Sequence, residues 1–178
     1  MFDVIIVVFI LILLVALFKN PLVKGRAGEF RVNLLLSSFL DKRKYHLLKD
    51  ITIPKTMAGG SSQIDHIIVS KYGVFAIETK NYSGEIYVNP EQKYWKQVFR
   101  RSSFNLYNPL WQNKVHVSVL NAHIRQPCEF VHSIVVFAGK AKLKGHFLPR
   151  NITSSLGCLS YIRSFKRQGN RMNLSSAI

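Results

Sequence analysis

The chain has 178 residues, enough for one domain of ordinary size and too few for two large ones. Hydrophobic residues make up 48%, which excludes a disordered chain, and 25 Lys and Arg against 9 Asp and Glu leave a formal net charge of +16. That balance excludes an acidic solvating tail and a binder of cations, and it points to a polyanionic partner, either nucleic acid or an anionic membrane surface. The two cysteines, Cys128 and Cys158, have no companions at metal-ligand spacing, so neither a disulfide scaffold nor a structural zinc site is expected. They read as two buried thiols in a reducing compartment.

The first element is an unbroken apolar run from Val4 to Phe18, blemished only by Asp3 just before it. At about 1.5 Å per residue it covers roughly 25 Å, and it predicts an N-terminal transmembrane anchor over residues 1–20. A cleaved signal peptide fits less well, because no Lys or Arg precedes the run and no small-x-small site follows it. Lys19, Lys24, Arg26 and Arg31 come next. The positive-inside tendency then predicts a single-pass protein of the inner or plasma membrane with its remaining domain in the cytoplasm.

Pro21 closes the anchor, and helical spacing follows from about Gly28 to Leu40. Tyr45 to Ile53 reads as a strand and Pro54 to Ser62 as a loop. Gln63 to Val69 and Val74 to Lys80 are β-branched-rich strands around Ser70-Lys71-Tyr72-Gly73, and Gly84 to Val88 is a short third strand. Asn108 followed by Pro109 predicts a capped helix start running to about Ile124. Val131 to Ala138 reads as a buried strand, and Ser155 to about Lys166 as a last helix. The order predicts an α/β fold, a mixed sheet covered by helices. Residues 141–178 form a basic C-terminal flank, partly helical or disordered in its last ten residues; from 139 onward there are eight Lys or Arg and no Asp or Glu.

In a chain this poor in acids, Asp65 and Glu78 stand out inside otherwise apolar strands, where a bare carboxylate is expensive to bury. If Ser70 to Gly73 form a four-residue loop, Val69 pairs with Val74 and Asp65 lies opposite Glu78. If the loop shortens to Tyr72-Gly73, Asp65 lies opposite Lys80 and Glu78 becomes diagonal. Either way Asp65, Glu78 and Lys80 share one face, because strand side chains alternate with period two. Opposed carboxylates about 5 Å apart repel unless a cation lies between them. A hard divalent ion suits such a pair, and an ammonium two residues beyond Glu78 can steady an attacking hydroxide or the charge developing on phosphorus. The pattern is coherent for metal-assisted phosphodiester hydrolysis; a cross-strand ion-pair patch on the wet side of a sheet is the plainer alternative.

Gly25-Arg26-Ala27-Gly28-Glu29, Gln63-Ile64-Asp65-His66-Ile67, Gly73 to Gly84, Tyr94-Trp95 and Asn108-Pro109-Leu110-Trp111-Gln112 together resemble the nuclease-related domain (NERD) family, from about Lys24 to Ile124. That family is placed in the PD-(D/E)xK nuclease superfamily. The resemblance implies a restriction-endonuclease-like core of order α-β-β-β-α-β over residues 24–140, and as a modest departure from the family pattern no appended helicase, kinase or zinc-finger module is expected. It implies Mg²⁺ (or Mn²⁺) held by Asp65, Glu78 and the main-chain carbonyl of Thr79, with Lys80 as the catalytic lysine. Glu29 would orient metal-bound water, and Gln112 would contact the nucleophile or a phosphate. His116, one turn beyond Gln112, falls on the same helical face. It reads either as a contact to substrate phosphate or to a carboxylate outside the metal set, or as a partly buried residue of the helix–sheet packing. His66, Trp95 and Trp111 read as packing residues.

Lys96, Arg100 and Arg101 lie among aromatics and are candidate phosphate contacts, with salt-sensitive binding of little sequence preference. The expected function is a membrane-anchored, metal-dependent nuclease acting on nucleic acid, DNA above RNA, with a homodimer possible. A catalytically silent nucleic-acid-binding module tethered to the membrane is the alternative, and a basic face used only on lipids is a third.

Overall fold

The computed structural model describes residues 2–55, 59–124 and 127–167. It has two helices at the N-terminus, α1 (Phe2–Lys19) and α2 (Pro21–Phe39). Three long strands follow, β1 (Tyr45–Pro54), β2 (Ser61–Ser70) and β3 (Gly73–Lys80). Then come β4 (Glu85–Tyr87), β5 (Tyr94–Phe99), β6 (Ser102–Tyr107), α3 (Pro109–His123) and β7 (Val131–Phe137). The short strands β8 (Lys142–Lys144) and β9 (Ile152–Ser154) lead into α4 (Ser155–Arg167). The expected disordered tail falls on residues outside those described.

The mixed α/β expectation holds, and β5, β6, β8 and β9 add to the expected strands. There are two sheets, a five-stranded β1-β2-β3-β7-β9 and a four-stranded β6-β5-β4-β8. In the first, β1, β2 and β3 are antiparallel neighbours, while β7 and β9 add in parallel. On one face Val32 and Leu36 of α2 and Cys158, Leu159 and Ile162 of α4 pack on Ile68, Phe75, Ile77 and Ile134. On the other face Leu120 of α3 covers Ile67, Val74, Ala76 and Val131. Farther along that second face, Val135 and Phe137 of β7 meet Ile86, Val88 and Trp95 of the small sheet. Even and odd residues of β7 thus feed opposite layers, as strand alternation requires. The basic segment after 140 supplies β8 to the small sheet, β9 to the large one and α4 to the core.

The transmembrane anchor needs correction. Among the described residues no helix is long and apolar enough to cross a membrane. The eighteen residues of α1 rise about 27 Å, against about 30 Å for a hydrocarbon core, and its sequence is bounded by Asp3 and Lys19. Pro21 does not merely end α1: Asn20 caps α2, its side chain accepting from the Leu22 amide at 2.9 Å, with proline in the first turn. The two cysteines also part company, Cys158 being buried and Cys128 exposed.

Two details position the site. Gly28, on the buried side of α2, lies so near β3's exit that a Cβ there would meet Asn81 Cβ at 2.6 Å, so only glycine lets the helix come this close. Asn113 of α3 is fully buried, and its Nδ2 donates to Ala76 O, Ser133 Oγ and Ile134 O, each at 2.9 Å. It locks α3 across β3 and β7.

Candidate active site

Of the two loop registers, the structure takes the first: Val69 pairs with Val74 and His66 with Ile77. The ladder stops there, and its next rung would be Asp65 with Glu78. Asp65, Glu78, Thr79 and Lys80 instead line an open cleft of about 630 Å³, together with Glu29 of α2 and Phe99 and Phe104 of the small sheet. The shared face expected from strand alternation is therefore present, and it is partly buried rather than the wet side of a sheet.

Each charged group has defined partners. Asp65 Oδ2 accepts from the Thr79 amide at 2.7 Å. Glu78 is 3% exposed; its Oε1 lies 2.6 Å from Lys80 Nζ and its Oε2 lies 3.1 Å from His116 Nε2. Lys80 Nζ also donates to Gln112 Oε1 at 3.0 Å. His116 Nδ1 is 2.7 Å from Ser62 Oγ. Since a carboxylate only accepts, His116 presents an Nε2 proton to Glu78.

The proton affinities follow. Burial, then the Glu78 charge, push Asp65 up to about 7 despite its bond from Thr79. Burial would raise Glu78 as well, but the His116 hydrogen bond and the Lys80 charge outweigh it and hold Glu78 below the usual carboxylate range. For Lys80 burial favours the neutral amine, and the Glu78 charge and hydrogen bond reverse that, so the ammonium is retained. At the cleft mouth Glu29 is raised, first by burial and then by Asp50 and Glu78. Two adjacent carboxylates with such unequal proton affinities are a functional-site signature.

Among the described residues no group of three or more His, Cys, Asp and Glu side chains is arranged to hold a metal. A two-carboxylate set is nevertheless chemically suited to a hard ion. Only Oδ2 of Asp65 accepts a hydrogen bond among the described residues, and the Glu78 charge, second to burial in raising its proton affinity, is a repulsion of the kind a cation relieves.

The remaining expected residues separate. Gln112 reaches the site through Lys80. His116 is buried where its helix packs on the large sheet, with Glu78 and Ser62 as its hydrogen-bond partners. Lys96 projects on the small sheet outside the cleft lining, and Arg100 and Arg101 are exposed in the turn between Phe99 and Phe104. His66 is buried. Trp95 is buried with its Nε1 on Asn89 O at 2.7 Å, and Trp111 stays partly exposed with Nε1 on Pro90 O at 3.0 Å. Sequence reasoning missed Ser62 and Asn113. The signal for both was polar residues at interior positions of a strand and a helix, where a hydrogen bond is obligatory.

A family model for the nuclease-related domain matches residues 24–138. An uncharacterized protein of Bacillus anthracis is 38% identical over 124 residues, covering 70% of this chain and 57% of that relative. The chain thus spans a little over half the length of the relative it matches. No solved structure matches. The chain belongs to the nuclease-related domain family, itself part of the PD-(D/E)xK-like nuclease superfamily.

Proposed function

We propose that this chain is a metal-dependent nuclease that hydrolyses phosphodiester bonds of DNA. The observation that carries the reading is the convergence of Asp65, Glu78 and a charged Lys80 in one open cleft. Asp65, Glu78 and the Thr79 carbonyl would hold Mg²⁺ or Mn²⁺, which supplies Lewis-acid neutralisation of the phosphate and a more acidic bound water.

The chain's own groups do the rest. Lys80, kept protonated by Glu78 and aimed by Gln112, offers N–H donors to the charge developing on the phosphoryl oxygens. His116 and Ser62 fix the Glu78 carboxylate so that its other oxygen stays directed at Lys80 and the cleft. Glu29, with its raised proton affinity at the mouth, is placed to orient and deprotonate water. Arg100 and Arg101, beside two cleft-lining phenylalanines, are placed for the flanking phosphates.

One observation favours the silent binding module as a second reading: Lys80 and His116 already occupy both Glu78 oxygens. The two are separated by incubating the full chain with linear DNA in Mg²⁺ and titrating it calorimetrically with Mn²⁺. The nuclease reading expects cleavage that Lys80→Ala abolishes and Mn²⁺ uptake that Asp65→Asn abolishes. DNA binding without cleavage or Mn²⁺ uptake would overturn it in favour of the module.

A further inference from the structure

We propose that the outward face of the small sheet is a second nucleic-acid site, a stacking surface for single strands. It adds a substrate class to the nuclease reading and stands on residues that share nothing with the cleft lining.

The sheet's inner face is committed: Ile86, Val88 and Trp95 are buried against β7. Alternation then sends Tyr87, Tyr94 and Lys96 outward. Tyr94 lies opposite Tyr107 on the neighbouring strand, their rings edge to face with centroids 6.1 Å apart. Tyr87, Tyr94 and Tyr107 stay 48%, 51% and 43% exposed. A single register row crosses all four strands as Asn105, Lys96, Tyr87 and Lys144. Lys93 Nζ hangs 5.5 Å over the Tyr94 ring. Between Tyr87, Tyr94 and the Gly145-His146 turn lies a recess of about 550 Å³, within the range of small-ligand sites.

Charge decides the sign of the partner. Lys93, Lys96, Lys142 and Lys144 belong to this face and its rim, against Glu85, which sits 3.6 Å from Lys144 and 3.4 Å from the Tyr87 hydroxyl. A polyanion fits. Exposed aromatic rings beside a recess then select for an unpaired base, because a duplex hides its base faces and a lipid headgroup layer has no planar ring to insert. Backbone phosphates would lie along the Lys96–Lys144 row while bases stack on the tyrosines.

The experiment measures fluorescence anisotropy of a labelled oligo(dT) of about fifteen nucleotides, in EDTA, on the full chain, with a duplex of equal length and phosphatidylserine vesicles as comparisons. Single strands should bind more tightly than duplex. Tyr87→Ala and Tyr94→Ala should each weaken single-strand binding at least about five-fold, with duplex affinity unchanged and Tyr94→Phe close to wild type. Because EDTA withholds any divalent ion, the outcome is independent of whether the cleft cleaves. Unchanged single-strand affinity in both alanine variants would overturn the proposal, as would equal losses on duplex or binding confined to vesicles.

Discussion

Two antiparallel hairpins of this molecule handle charge in opposite ways. The β2–β3 hairpin lies in the middle of the large sheet, with all of β3 buried except Lys80. Its charges answer one another: Lys80 to Glu78, and Glu78 to a histidine held by a serine. The β5–β6 hairpin forms the free edge of the small sheet, and its Lys96, Arg100 and Arg101 are exposed, with no carboxylate within ion-pair distance among the described residues. Where water is excluded, a charge persists only with a built partner, and its geometry is fixed accordingly. Where water is present, a cation needs no partner and stays available to a phosphate. The inner hairpin is organised for position and the outer one for attraction.

The sharpest way to break that contrast is to neutralise one charge in each. Glu78→Gln keeps shape but frees Lys80 from its ion pair, and it should lower single-turnover DNA cleavage on the order of 10²–10³-fold with an unchanged circular dichroism spectrum. Arg100→Ala in the same assay should alter the DNA concentration needed for half-maximal rate and leave the saturating rate alone. Equal loss of saturating rate in both variants would erase the distinction.

The inner hairpin was legible and the outer one was not, for a physical reason. β2 and β3 are runs of Ile, Val and Phe around a tight turn, so their acids appear as interruptions that demand a cause. β5 also alternates, with Tyr94 and Lys96 outward and Trp95 and Gln97 buried. Its second buried position is polar, satisfied by a bond from Gln97 Nε2 to Ser83 O at 2.7 Å, and this breaks the apolar alternation. The three-residue strands β8 and β9 carry too little pattern to be read, since β8 is Lys142-Leu143-Lys144. In α4 the helix and the burial of Cys158 were legible, but the burial of Ile162 depends on where α2 docks. The carboxylate–lysine face followed from period two alone, whereas Ser62 and Asn113 depend on which helix residue lands over which strand.

Burial beside the inner hairpin has a consequence in acid. His132 of β7 lies across from Phe75 and stacks on Phe165 at 4.1 Å, and desolvation holds its imidazole below the ordinary 6.5. A base with a lowered folded value binds fewer protons folded than unfolded. Its contribution to stability is therefore intact above 6.5 and is lost as pH falls through the folded value. Urea midpoints measured from pH 7 to pH 5 should decline more for wild type than for His132→Phe. Parallel curves would show that the ring is solvated and not part of the buried region.

The smallest effect expected is on the outer hairpin, and it is visible only in salt. Arg100 and Arg101 sit in an exposed turn, so on the proposed reading each would act on DNA by displacing condensed counterions and not through a fixed partner. Each alanine substitution should lower the slope of log affinity against log salt by about one, for every DNA sequence alike, with the melting temperature unmoved. Lys80→Ala should leave that slope nearly as it was, because its charge is already answered by Glu78 before DNA arrives. A Lys80 slope change as large as that of Arg100 would mean that the inner charge also acts as free attraction, and the two hairpins would then differ in burial alone.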